Sequence, residues 1–422
     1  MVRSYTSPDI FQPTSYPEYT YVNRLFDERE TYKERLNKAL RTKGILALIT
    51  GASKSGKTVL CYSVIPVDKI VEISGSHIRA LDDFWIQIAE KLQIPVEIET
   101  TTQQSNETSF GGEAGGKAGI PLLADLSLKG TTGAKFIDIE ATKEKQQRSK
   151  SSMIDYMIQN QNVLVIDDFH YVTPEIQKYI ARVLKSEIFR GLKAVVVSLP
   201  HRSDDAIRLN PDLIGRVRYI NIEPWSPEEL SQIPKKGFEL LGITVANSIV
   251  DLLVEESITS PQLMQQNCLN LAYELNIDED LLVVNINDNK YVYNAFVETT
   301  RDYENYNPVI QKLITGPPQG RDKRIQYKLR NGTNLDIYHV ILKMLAEDPP
   351  LISIDIAEIQ QRITKVLLVG EKPPNPLTVS NTLAQIQKIL QETGEMFQIL
   401  EWREQKLYVL DPFFLFYLRW NK

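Results

Sequence analysis

Cysteine and histidine are scarce in this chain of 422 residues, which holds two Cys and four His. Cys61 and Cys268 cannot build a disulfide framework, and no C-x-x-C pair or Cys/His spacing outlines a zinc site. Both read as small apolar residues on helices. Long apolar runs are lacking as well. Nowhere do about 18 apolar residues follow one another, so no membrane-spanning helix is expected. Met1 to Asp9 lacks the apolar stretch of a secretory signal. Positive charge is not in excess, because 48 Lys+Arg face 54 Asp+Glu for a net −6. That excludes a surface coated uniformly in nucleic-acid-binding charge and leaves room for a local patch. A cytoplasmic protein is expected.

What the chain does have is an ordered succession of patterns. Residues 1–20, rich in Pro, Ser, Thr and Tyr, read as an extended N-terminal arm. Between 27 and 43, Tyr32, Leu36, Ala39 and Leu40 recur at helical spacing, and the apolar run Ile45–Thr50 follows as a strand. A helix after Gly56, a strand near Ile70–Ile73 and a helix over Leu81–Leu92 come next. Strands at Val163–Ile166 and Ala194–Ser198 flank a helix from Pro174 to Ile188. Such alternation over 21–225 predicts a parallel sheet covered on both faces. A Gly-rich insertion, about 100–140 with Gly111-Gly112 and Gly115-Gly116, interrupts it and reads as a loop. Past Trp225 helices dominate: Pro227–Leu241, Asn247–Glu256, Pro261–Leu275 and Lys290–Tyr303, within a helical unit at 226–315. A basic linker, 316–334, precedes a last unit at 335–422. There, helices at 335–345, 355–366 and 379–392 lead into a hairpin of Phe397–Trp402 and Lys406–Leu410, the order of a winged helix.

The strongest motif is Gly51-Ala52-Ser53-Lys54-Ser55-Gly56-Lys57-Thr58, a complete G-x-x-x-x-G-K-[ST] placed after a strand and opening a helix. Its backbone N–H groups can wrap a β-phosphate, and the helix N-terminus adds partial positive charge. Lys57 can reach β- and γ-oxygens, and the Thr58 hydroxyl can bind Mg²⁺. The strand Val163–Ile166 ends in Asp167-Asp168. Asp167 belongs in the magnesium shell, and Asp168 is the candidate general base for an attacking water. Asp reaches less far than Glu, so slow or partner-stimulated turnover is expected. At the tip of Ala194–Ser198, Ser198 or Arg202 could sense a γ-phosphate, or could serve the loop's structure alone. His170 divides in the same way. Arg216 could bring charge to a developing γ-phosphoryl group, in cis or from a neighbouring subunit, or could make a surface salt bridge. The absence of an Asn-Lys-x-Asp guanine motif favours ATP.

Residues from about 20 to 275 together resemble the additional-strand P-loop ATPases, both AAA+ proteins and STAND signalling NTPases. The tail Asp411–Trp420 resembles that of archaeal-type predicted ATPases with a C-terminal winged helix. The resemblance implies an α/β P-loop NTPase parallel sheet with helices on both faces, followed by an α-helical lid and a C-terminal winged-helix domain. It implies that Val22, in the entry segment Tyr21–Arg24, packs on adenine. It implies too that Pro261, in Ser260-Pro261-Gln262-Leu263, brings the lid to the nucleotide. ATP and Mg²⁺ are the implied cofactors, and a homo-oligomer or an effector protein the implied partner. Asp-Asp in place of Asp-Glu is closer to STAND proteins, although the sensor repeats and effector domain usual there are not seen.

Nucleic acid is the other candidate partner. Residues 335–422 hold nine Lys/Arg against eleven Asp/Glu, a net of −2. On the segment 378–393, Asn381, Gln385 and Gln387 could read bases, with little positive charge to hold them there. The one basic run, Arg321–Arg330, has five cations and one acid, net +4, with Tyr327 interleaved. The expected function is an ATP-hydrolysing switch in which nucleotide drives closure of lid and winged helix. The rivals are a DNA-associated ATPase of the replication or transposition type and a nucleotide-binding scaffold without turnover.

Overall fold

The computed structural model describes residues 5–94, 150–199, 207, 213–279, 285–318, 324–393 and 399–421. The Gly-rich insertion and Arg202 lie outside the described residues.

Five strands, β1 (Leu46–Gly51), β2 (Ile70–Ser74), β3 (Val163–Asp167), β4 (Lys193–Ser198) and β5 (Val217–Ile222), form one parallel sheet in the order β2-β3-β4-β1-β5. Their near-continuous apolar sequences follow from burial on both faces. Side chains alternate across the sheet, so Leu46, Leu48, Leu164, Ile166, Ala194 and Val196 meet α3 (Leu81–Leu92) and α4 (Pro174–Arg190). Ala47, Ile49, Val163, Val165, Val195 and Val197 meet α1 (Tyr32–Arg41) and α2 (Lys57–Val64) on the other face. Helix α1 starts where Thr31 and Glu34 exchange backbone bonds in a capping box. Because the strands are parallel, the loops after β1 and β3 leave the same edge, flanking β4. This is the crevice where ligands bind in open α/β sheets. The chain has the P-loop NTPase fold.

Beyond β5 come α5 (Pro227–Leu240), α6 (Asn247–Glu256), α7 (Pro261–Glu274), α8 (Asn289–Arg301) and α9 (Asn307–Thr315), with the short strands β6 (Thr244–Val245) and β7 (Asn285–Ile286) paired parallel among them. Residues 316–334, expected as a linker, instead contain β8 (Gln326–Lys328), paired antiparallel with β9 (Asn334–Asp336). Tyr327 and Leu329 are buried there, so apolar burial holds this stretch as a hairpin. The winged helix then runs α10 (Ile337–Leu345), β10 (Ser353–Asp355), α11 (Ile356–Val366), α12 (Pro376–Thr393), β11 (Leu400–Arg403), β12 (Lys406–Val409) and α13 (Pro412–Trp420). Its sheet order is β10-β12-β11, one strand more than the hairpin expected from sequence.

Lid and winged helix share one apolar core. Phe238, Leu263, Met264 and Phe296 from the lid belong to the same cluster as Val340, Ile359, Phe413 and Phe416. A buried ion pair reinforces the junction: Arg419 contacts both oxygens of Glu256, and Trp420 Nε1 donates to the same carboxylate at 2.7 Å. The N-terminal arm joins this helical body instead of extending freely. Ser7–Ile10 form one helical turn, and Ile10 and Phe11 are buried. The Phe11 ring fills a notch over Gly237 of α5, where an added Cβ would stand 2.3 Å from the ring.

That notch admits no side chain. Gly237→Ala is expected to lower stability by about 1–3 kcal/mol through overpacking and to make the arm protease-sensitive. In a Phe11→Ala background the same substitution should cost far less, and denaturant unfolding of the four variants checks this non-additivity.

Candidate nucleotide site

The loop Gly51–Thr58 is shaped by residues that accept unusual backbone geometry. Gly56 has φ +93° and Lys54 φ +59°. Gly51 ends β1 so close to β5 that an added Cβ would meet Ile222 at 3.0 Å. The Lys57 ammonium donates to the carbonyls of Gly51 (3.0 Å) and Ala52 (2.6 Å), so it lies along the loop. Burial pulls it down to about 8, against the opposing pull of Asp167 and Asp168. The Thr58 hydroxyl donates to Asp167 Oδ2 at 2.6 Å, bringing the two expected metal residues together. A hydroxyl and a carboxylate are the hard oxygen donors that Mg²⁺ takes, with phosphates and water completing its shell. Among the described residues no cluster of three or more His, Cys, Asp or Glu could hold a metal by itself.

Asp168 turns away from its neighbour because its backbone is left-handed, φ +53° and ψ +35°. Its N–H donates to Asp167 Oδ1 at 2.8 Å. Gly75, after β2, makes room for this turn, since an added Cβ would lie 2.4 Å from the Asp168 carbonyl oxygen. Burial, and next the charge of Asp167, push the Asp168 carboxyl up to about 6, with Lys57 opposing. Asp168 therefore has the properties of a group that exchanges protons near neutrality.

These residues line a cleft of about 890 Å³ that also takes in Gln12–Pro17, Tyr21, Val22, Pro261 and Asp411. Its size suits a nucleoside triphosphate. The arm supplies one wall, joined to the lid where Gln265 Nε2 donates to Thr20 Oγ1 at 2.7 Å. Val22 and Pro261 thus face the same cavity as the phosphate loop. Ser260 caps α7 and fixes Pro261 at its first turn. Two residues whose roles sequence reasoning missed hold the loop against the helical body. Trp225 Nε1 donates to the Ser55 carbonyl at 3.0 Å. Arg24 lies over the Trp225 ring at 4.6 Å, donates to the carbonyls of Glu223 and Pro224, and pairs with Glu229 at 2.9 Å. An Arg in an entry segment or a Trp ahead of a helix carries no signal of its partner in the sequence.

Other sequence candidates fall elsewhere. Arg216 precedes β5 at the edge opposite the phosphate loop, since Leu46 pairs with Val217 and Gly51 with Ile222. Five residues of strand put it about 17 Å away, near Phe189, too far for the cis role; an action on a neighbouring subunit and a surface contact are the readings left. Ser198 is fully buried at the end of β4, and His170 lines the cleft. On α12, Gln385 Oε1 accepts from the Tyr338 hydroxyl and Gln387 Oε1 from the Trp402 N–H. Both acceptors thus serve the domain's own packing. In the basic run, Arg324 pairs with Asp336 at 2.8 Å and donates to the carbonyls of Thr315 and Pro317, whereas Lys328 and Arg330 are exposed.

No family model and no curated protein matches the sequence. Among solved structures, the chain is similar to Cdc6p from Pyrobaculum aerophilum, with 14% identity, a TM-score of 0.45, and 98% of this chain and 97% of that one covered. It is also similar to a Walker-type ATPase of Pyrococcus abyssi, at 12% identity and TM-score 0.46 over 94% and 97% of the two chains. The RuvB Holliday junction branch migration motor of Thermotoga maritima matches at 13% identity and TM-score 0.42, over 93% and 95%.

The two shifted groups set a pH window. Asp168 must be ionised to accept a proton, so kcat/KM for nucleotide hydrolysis should fall as pH drops through about 6. Lys57 must stay charged to hold phosphate, so it should fall again as pH rises through about 8. A pH–rate profile checks both limbs, and Asp168→Asn should abolish the acid limb together with most of the turnover.

Proposed function

We propose that this protein is an ATP-binding and hydrolysing switch of the AAA+/STAND kind, in which nucleotide repositions one rigid helical body against the sheet. The observation that carries the reading is the hydrogen bond from Thr58 to Asp167 beneath the phosphate loop, with Asp168 turned into the same cleft. Gly51–Gly56 would cradle the β-phosphate, Lys57 would leave the Gly51 and Ala52 carbonyls for phosphate oxygens, and Asp168 would take a proton from the attacking water. Thr58 and Asp167 would hold a magnesium ion, which would supply positive charge to offset that of the phosphates. Adenine would lie toward Val22 and Pro261. The unit that moves is lid, winged helix and arm together, since one apolar core joins them. The segment Glu223–Trp225, clasped by Arg24, is the natural hinge. Arg216 would act on a neighbouring subunit's nucleotide, which requires an oligomer or a partner.

The DNA-associated reading keeps only Lys328 and Arg330 as exposed described cations of the basic run. Neutralising these two should leave any DNA binding at low salt unchanged, and a salt-dependent loss would favour that rival. Lys57→Ala is expected to weaken nucleotide binding about 10- to 100-fold. Asp168→Asn should retain binding and lose turnover about 10²- to 10⁴-fold. Normal turnover in purified Asp168→Asn would remove its role as base. Motion is measured by energy transfer between dyes at Val67→Cys on the sheet domain and Val369→Cys on the winged helix. Both positions are exposed (75% and 94%), and the native Cys61 and Cys268 are fully buried. Transfer should differ between ADP and a non-hydrolysable ATP analogue, and identical values would sink the switch.

A further inference from the structure

Lys54, the fourth residue of the phosphate loop, is held by the other end of the chain. Its Nζ lies 2.9 Å from Asp411 Oδ1 and 4.0 Å from the centre of the Phe413 ring. Asp411 is committed on every side. The Phe413 N–H donates to Oδ1 at 3.1 Å, capping α13, and the Tyr306 hydroxyl donates to Oδ2. Burial and this neighbouring carboxylate keep the Tyr306 hydroxyl protonated far above the ordinary tyrosine range, so it stays a donor. Asp411, Tyr306 and Lys54 all line the nucleotide cleft together with Lys57, Asp167 and Asp168. The phosphate end therefore holds three carboxylates and two ammonium groups, and one of those carboxylates is delivered by the winged helix. The backbone of Lys54 is left-handed, φ +59°, and its side chain ends at this seat.

From this geometry we infer that Asp411 is a specificity-determining residue that sets the site's preference between nucleoside diphosphate and triphosphate. The inference rests on the nucleotide reading above. A diphosphate is held by the loop amides and Lys57 and needs nothing from Lys54. A γ-phosphate would add negative charge to the cleft that Asp411 lines, and the two anions would compete for the Lys54 ammonium. With Asp411 in place, Lys54 is engaged and the carboxylate opposes the third phosphate, so the site favours diphosphate. A triphosphate gains Lys54 only by drawing it off Asp411, which frees the cap of α13 from the loop. The same ion pair therefore ties phosphate number to the seating of the helical body.

The test measures dissociation constants for fluorescent ADP and for a non-hydrolysable ATP analogue on the full chain. Asp411→Asn keeps the oxygen that caps α13 and removes the charge. It is expected to tighten triphosphate about tenfold while moving diphosphate less than about twofold. Lys54→Met in the Asp411→Asn background should erase that gain, because the gain runs through the freed ammonium. Equal shifts for both nucleotides would show a merely structural cap and overturn the inference. So would an unchanged ratio, or a gain that survives without Lys54. Should the wild-type chain bind neither nucleotide, the nucleotide reading falls and takes this one with it. Binding with an unmoved ratio removes this inference alone.

Discussion

The phosphate loop is gripped from two sides, and the rest of the structure is arranged around that grip. On the sheet side, Thr58 is bonded to Asp167 and Gly51 is pressed against Ile222. On the helical side, Trp225 holds the Ser55 carbonyl and Asp411 holds the Lys54 ammonium. A loop that binds phosphate through its backbone N–H groups must be fixed in shape beforehand, since ordering it on binding would cost conformational entropy. Here both halves of the molecule share in fixing it. Any charge that arrives at the loop is therefore felt by both.

The two halves differ in how they are built. The sheet domain has two apolar layers, one on each face of five parallel strands, and the strand alternation assigns each residue to one layer. The helical half has a single core running through lid, winged helix and arm. Glu256 with Arg419 and Trp420, and Gly237 with Phe11, are points where distant segments close onto one another. A body with one continuous core moves as a unit, because close-packed interiors do not deform gradually. In the proposed switch the connection Glu223–Trp225, beside Arg24, would be the hinge.

Electrostatics in the cleft is a contest among buried groups of both signs. Burial lowers Lys57 and raises Asp168, and each is the other's partial remedy. The winged helix enters this contest through one carboxylate and not through a basic surface. Two of its arginines are spent on structure: Arg362 is fully buried on Glu358 and the carbonyls of Glu347 and Pro349, and Arg419 is bound to Glu256. A count of charge over 335–422 cannot distinguish a solvated arginine from a buried one.

Local sequence determined the elements and the heart of the site. Glycines at 51 and 56, Lys57, Thr58 and the acids after β3 are written in short windows, because each role needs a residue type at a fixed offset from a strand or helix end. Apolar runs of strand length, separated by helical periodicity, specified a parallel sheet in the same way. The hairpin over Gln326–Asp336 and the docking of residues 5–20 were not legible there. Tyr327 and Phe11 bury themselves against segments far away in sequence, and local pattern carries no record of such partners. The same holds for Arg216, whose distance from the phosphate loop is set by strand register. It holds above all for Lys54 and Asp411, 357 residues apart: one stands in the motif and the other opens the tail, and neither window names its partner. Sequence alone marked out the loop Gly51–Thr58; only the tertiary structure decided what holds it, because a charge pair is made by proximity and proximity is a property of the folded core.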